Sequence, residues 1–227
     1  MKHEYVMVQQ PSAPRQLFLL FHGVGDNPAS MAEIGRYFAD AFKEALVISV
    51  GSPKSENGSR RWFSVQDITE ANRPDRIQCV LPSFIETIRC WQAQSGIHAS
   101  HTALVGFSQG GMMILEALKA EAQLAGRSVV FSGRYATLPE RPLSDDSVVH
   151  LLHGEEDPVI SIEHASLAAQ RLQTLGADFT LDRVPELGHA IDMRMMDFAL
   201  DRLRYYIPRR YWDEAVQGKC GELIAFR

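Results

Sequence analysis

The run LVGFSQGGM over residues 104–112 sets one serine, Ser108, two positions from a glycine on each side, Gly106 and Gly110. Glycine loses more backbone entropy on folding than any other residue, so this placement indicates a turn or a close approach that a Cβ would forbid. An apolar run precedes the serine and a helical pattern follows it. G-x-S-x-G at such a junction is a nucleophile elbow, a strained turn that lifts the hydroxyl above a sheet. A tight structural turn competes for the motif taken alone; the strand-to-helix setting favours nucleophilic chemistry.

A serine hydroxyl is a weak nucleophile near neutral pH and needs a base within hydrogen-bond reach, itself oriented by a carboxylate. His153, His164 and His189 follow the serine in the chain. His153 ends an apolar run and suits a role in satisfying backbone groups, and His164 lies near a helix start, where a solvated face is the simpler role. His189, in VPELGHAID, comes after the last strand-like run and before the final helical pattern, and is the candidate base. For the acid, LLHGEEDPVI offers Glu155, Glu156 and Asp157; Pro158 stiffens the backbone beside Asp157, which is preferred, with Glu156 in reserve. In FHGVGDNP a glycine-flanked turn can aim amides at a developing oxyanion. The expected donors are the backbone N–H groups of Val24 and Gln109, with His22 bracing the loop. As a phosphate cradle, G-V-G-D lacks the downstream Lys and Ser/Thr of a P-loop.

Something must bring these distant side chains together. Short β-rich runs at 16–21, 45–50, 102–107, 128–131, 147–152 and 179–184 alternate with longer helical patterns. Continuous apolar runs of this length fit strands buried on both faces, so an α/β fold with a mainly parallel sheet and helices on both faces is expected. Helices are expected from Pro28 to Lys43, through Ile77 to Trp91 with a kink or split at Pro82, from Met112 to Ala120, up to Leu175 with Gly176 at its end, and from Ile191 to Tyr206. Gly51 to Asp75 carries no strong periodicity over 25 positions, which marks a functional loop or disorder.

With 227 residues, 45% hydrophobic and 22% charged, the chain can build one substantial core, and a single domain over 1–227 is expected. A net charge of -5 gives no pull toward nucleic acid or anionic lipid. The apolar run at 17–21 is too short for a signal-peptide core or a membrane span, and three cysteines without C-x-x-C spacing suggest neither a disulfide framework nor a zinc site; a cytoplasmic location is expected.

HGVGD, RWFS, GFSQGG, HGEEDPV and LGHA, in this order and at these separations, resemble the phospholipase/carboxylesterase family of small serine α/β-hydrolases, which includes acyl-protein thioesterases; the likeness is strongest to small bacterial cytoplasmic carboxylesterases. The resemblance spans about residues 16–207 and implies an α/β-hydrolase fold, with Ser108 as nucleophile, Asp157 as acid, His189 as base, and Val24 and Gln109 as oxyanion amides. Two features depart from it. Trp62-Phe63-Ser64 stands where many similar chains have Trp-Phe-Asp, and the residues from 208 to 227 form a C-terminal extension. Arg209 and Arg210 are expected to complement a helix dipole.

The implied activity is hydrolysis of carboxylic esters, with thioesters as a second substrate class, without metal or organic cofactor. The 14 residues 134–147, where this fold often inserts a cap, are too few for a large one. A small-molecule acyl ester or a displayed acyl chain is the expected partner. Trp62, Phe63, Val159 and Ile160 are candidates to wall the substrate site, and core packing is the competing role for all four. A non-catalytic ligand-binding module and a serine peptidase of the same fold are the rival functions; a peptidase would usually carry an extra gating domain.

Overall fold

A computed structural model describes residues 4–53 and 60–216. Seven strands, β1 (Tyr5–Gln9), β2 (Gln16–Phe21), β3 (Ala45–Val50), β4 (Thr102–Phe107), β5 (Arg127–Phe131), β6 (Val148–Gly154) and β7 (Asp178–Val184), form one sheet in the order β1-β3-β2-β4-β5-β6-β7. Only β1 runs antiparallel, against β3; every other pairing is parallel.

The uniformly apolar strands are buried on both faces, and alternate residues serve different cores. Leu17, Leu19 and Phe21 of β2 join the core under α2 (Arg73–Ser95), α3 (Gln109–Ala120) and α4 (Ile162–Thr174). Phe18 and Leu20 join the opposite core, under α1 (Pro28–Ala41) and α5 (Met193–Tyr205). Asn27 caps α1, its side-chain oxygen accepting from the Ala29 and Ser30 amides while Pro28 occupies the first turn.

The crossover from β2 to β3 moves one way along the sheet, and the return from β3 to β4 moves the other. The loops leaving β2 and β4 therefore flank a topological switch point at the carboxyl ends of the strands, where this sheet type opens a ligand crevice. Residues 134–147 hold no helix or strand, so no large cap covers that crevice.

Three expectations are corrected. β1 adds a strand that no continuous apolar run marks, because it is a half-buried edge strand with polar neighbours. α2 passes through Pro82 without splitting: Pro82 and Gln78, whose carbonyl loses its usual donor, both lie on the exposed side, where water can serve that oxygen. Arg209 and Arg210 do not end a helix; they begin a further one, α6 (Arg209–Val216). The Arg209 amide donates to Asp178 Oδ2 at 2.7 Å, and Arg210 pairs with Asp146 and lies over the Tyr211 ring. These contacts fasten the start of the extension to β7 and the loop before β6. Residues 217–227, with Cys220, lie outside the described residues.

Candidate active site

At the end of β4 the chain turns sharply. Ser108 has φ 50° and ψ -113°, a backbone shape that L residues avoid, and its amide donates to Phe131 O of β5 at 2.9 Å. The Met112 amide returns to Ser108 O at 3.0 Å, so α3 begins at once. The flanking glycines answer to crowding here. A Cβ at Gly106 would lie 2.6 Å from the backbone of Gly110 and Gly111, and one at Gly110 would lie 2.1 Å from Phe21 O. Strand and helix cross with no room for a side chain, and the serine hydroxyl is what remains at the tip.

The candidate acid and base arrive on two loops that are joined to each other. The Glu155 and Glu156 amides after β6 donate to Val184 O at the end of β7 and to Leu187 O just beyond it, at 2.9 and 3.0 Å. Asp157 then turns inward. Its Oδ1 accepts from the Val159 and Ile160 amides at 2.8 and 2.9 Å, and its Oδ2 accepts from His189 Nδ1 at 2.7 Å. The other imidazole nitrogen, Nε2, lies 2.9 Å from Ser108 Oγ. An ionised carboxylate can only accept, so His189 carries its proton on Nδ1 and presents the Nε2 lone pair to the serine O–H. Phe107 packs against the His189 ring at a tilt of 38°, with centroids 4.9 Å apart. Burial pushes the Asp157 carboxyl upward, but the bonds from His189 and from the Ile160 and Val159 amides together outweigh it and hold the group below the ordinary carboxylate range. Glu156 is exposed, and Glu155 pairs with Arg183.

The other histidines have separate duties. His22, fully buried, donates from Nδ1 to Gly23 O at 2.7 Å and accepts the Ser52 amide at Nε2 at 3.0 Å, so it braces the loop after β2 as a neutral ring. His153 donates from Nε2 to Ile160 O at 2.7 Å, and the same nitrogen lies 3.3 Å from Asp157 Oδ2; it ties the acid's own turn together. His164 is not merely a solvated residue, because its Nε2 meets Arg134 Nη1 at 2.9 Å. Arg134 also grips Glu70, whose carboxyl the guanidinium holds down to about 2.

Among the described residues, the Val24 and Gln109 amides donate to no other group. Of the four candidate wall residues, Trp62, Phe63 and Ile160 are 5%, 3% and 5% exposed and pack in the core, the competing role, whereas Val159 is 67% exposed beside the acid. Trp62 meets Phe21 and Phe84 edge-on, which leaves little of its ring for a ligand. No local pattern marks the role of the Gln109 side chain, which bonds the backbone of Trp62 and Phe63.

Comparison with known proteins matches residues 3–207 to the Phospholipase/Carboxylesterase family. The chain is 56% identical over 221 residues to Esterase YpfH of Escherichia coli, covering 96% of this chain and 95% of that protein. It is 27% identical over 212 residues to Acyl-protein thioesterase 1 of Neurospora crassa, covering 84% and 86%. Among solved structures, that of esterase PE8 superposes with a TM-score of 0.78 at 23% identity, covering 91% of this chain and 99% of that one. The Bacillus cereus carboxylesterase superposes with a TM-score of 0.72 at 20% identity, covering 95% and 94%. With this sheet order, these loops and a family match over nearly the whole length, the chain belongs to the phospholipase/carboxylesterase family and is a carboxylic ester hydrolase of α/β-hydrolase fold.

Proposed function

We propose that the protein is a serine carboxylesterase working through a Ser108-His189-Asp157 triad and an acyl-enzyme intermediate. The observation that carries this is the single imidazole bridging Asp157 Oδ2 at 2.7 Å and Ser108 Oγ at 2.9 Å. Ser108 Oγ attacks the acyl carbonyl as its proton passes to His189 Nε2. Asp157, held ionised by its three hydrogen bonds, stabilises the imidazolium without taking the proton. The carbonyl oxygen, now negative, receives the Val24 and Gln109 amides. His189 returns the proton to the departing alkoxide or thiolate. Water then enters and gives a proton to His189 Nε2 as it attacks the acyl carbon; His189 returns that proton to Ser108 Oγ as the acyl carbon–Oγ bond breaks, which frees the acid and the enzyme.

All these groups hang from one sheet, in keeping with a single domain whose tail from residue 208 is an extension. The crevice lacks a large cap, and exposed Val159 offers an apolar wall beside the acid. This favours small acyl esters, with acyl thioesters as the second class; relatives named esterase and acyl-protein thioesterase agree with both. The test is hydrolysis of p-nitrophenyl esters of graded acyl length beside the matching thioesters. Wild-type protein should cleave at least the short esters and Ser108→Ala should cleave none. Undiminished cleavage by Ser108→Ala would overturn the assignment.

A further inference from the structure

The two expected oxyanion amides belong to different loops, Val24 to the turn after β2 and Gln109 to the start of α3. One oxygen must fit within about 2.7–3.1 Å of both, so their relative position matters to a fraction of an ångström. A third segment bonds to both sides. The Gly25 amide donates to Arg60 O at 2.8 Å, and Trp62 Nε1 donates to His22 O at 2.9 Å, which ties residues 60–62 to the turn after β2. On the other side, Gln109 Oε1 accepts the Trp62 amide at 2.7 Å and Gln109 Nε2 donates to Phe63 O at 2.9 Å.

We propose that the side chain of Gln109, acting through the 60–63 strap and Trp62, is a positioning device that sets the spacing of the two oxyanion amides. The proposal rests on the nucleophilic role of Ser108. A primary amide is the side chain suited to this place: one oxygen accepts and one nitrogen donates, matching the N–H of Trp62 and the C=O of Phe63 where the strap bends. Gln109 is 2% exposed, so neither bond can be exchanged for water. His22 stiffens the far anchor, since its neutral tautomer clasps Gly23 O and the Ser52 amide. Burial lowers the pKa of that ring, consistent with a group kept uncharged beside the hole.

A slipped strap changes the fit to the tetrahedral oxyanion more than the fit to the planar ester. Misplacement of about 1 Å costs on the order of 10²-fold in rate. Gln109→Ala should therefore lower kcat by about 10- to 100-fold per site titrated with a fluorophosphonate, with KM changed by less than about two-fold. A trifluoromethyl ketone, whose hemiketal adduct with Ser108 bears the oxyanion, should lose affinity by the same factor as kcat/KM. Gln109→Glu keeps the acceptor for the Trp62 amide but sets a carboxylate oxygen against Phe63 O. Its rate relative to wild type should recover as the pH falls and the acid regains a donating O–H. Trp62→Phe, which removes the indole donor to His22 O together with part of the buried ring, should lose rate and ketone affinity in parallel.

If the Gln109 variants have wild-type kcat per titrated site and only a lower melting temperature, the side chain is a brace without catalytic reach and the proposal fails. A raised KM at constant kcat, or a Gln109→Glu ratio independent of pH, overturns it as well. Ser108→Ala separates the two levels. An active Ser108→Ala protein sinks the triad itself, whereas an inactive one beside unaffected Gln109 variants sinks the strap alone.

Discussion

Gly110→Ala puts one methyl group where the elbow has no room. The new Cβ would stand 2.1 Å from Phe21 O, 2.6 Å from Phe21 C and 2.9 Å from His22 O, all backbone atoms, and a Cβ essentially never comes nearer than 3.0 Å. Either α3 or the end of β2 must retreat by about 1 Å, the scale at which reacting groups fall out of alignment. Overpacking of this kind costs about 1–3 kcal/mol, and a clash with main chain rather than a flexible side chain belongs at the upper end. Both possible movements touch the oxyanion amides, because Gln109 precedes the mutated residue and Val24 follows His22 by two positions. We expect unfolding in urea to show a loss of about 3 kcal/mol. We also expect kcat/KM for p-nitrophenyl acetate to fall on the order of 10²-fold. Gly176→Ala is the control: its φ is +69° but nothing lies within 4 Å of the added Cβ. It should cost about 1 kcal/mol of stability from left-handed strain alone, with kcat/KM unchanged. Activity and stability of Gly110→Ala both close to wild type would refute the crowding explanation of the elbow.

Ser108→Gly should be about 1 kcal/mol more stable than Ser108→Ala, against the usual order of these residues, because only glycine relieves the strain at φ 50°; equal urea midpoints would contradict this. Asp157→Asn should lower kcat by on the order of 10⁴-fold with the fold intact. The Val159 and Ile160 amides would hold the asparagine oxygen, leaving its NH2 facing His189 Nδ1 and forcing the tautomer that cannot accept the serine proton; a loss under about tenfold would contradict it. His22, His150 and His153 are buried, and burial is the main cause holding all three below the ordinary histidine pKa of 6.5. The unfolded chain then binds protons at these sites that the folded chain refuses. Stability should be level above about pH 6.5 and fall below it, by up to about 1.4 kcal/mol per pH unit for each ring until its folded pKa is reached. Urea unfolding at pH 7, 6 and 5 checks this, and stability rising toward pH 5 would reverse the sign.

What could be read from residue types was the part of the molecule set by local pattern. Alternate positions of 16–21 feed two cores, so the run looks uniformly apolar, and the elbow advertises itself because Gly106 and Gly110 are required by contacts within a few residues or with the adjoining strand end. Ser108, His189 and Asp157 were nameable because each follows a strand in an order the fold permits. Where the deciding contact is distant, the pattern was silent. Trp62 and Phe63 look like a substrate wall in a loop without periodicity, yet the loop folds inward and is fastened by Gln109, 46 and 47 residues away. Pro82 reads as a break, but a helix this firmly seated through Ile77, Leu81, Phe84 and Ile88 tolerates one lost bond on its wet side. Arg209 and Arg210 look suited to the dipole at a helix end, since nothing local reveals that Asp178 anchors a new helix there.

Covalent labelling tests the catalytic assignment most directly. The protein is treated with a fluorophosphonate, the intact mass is measured as activity falls, and the modified residue is located by peptide mapping. One adduct per chain, carried by Ser108 and rising in step with the loss of esterase activity, is the expected result. Activity that survives complete modification of Ser108, or a label that settles on another residue while activity disappears, would contradict it.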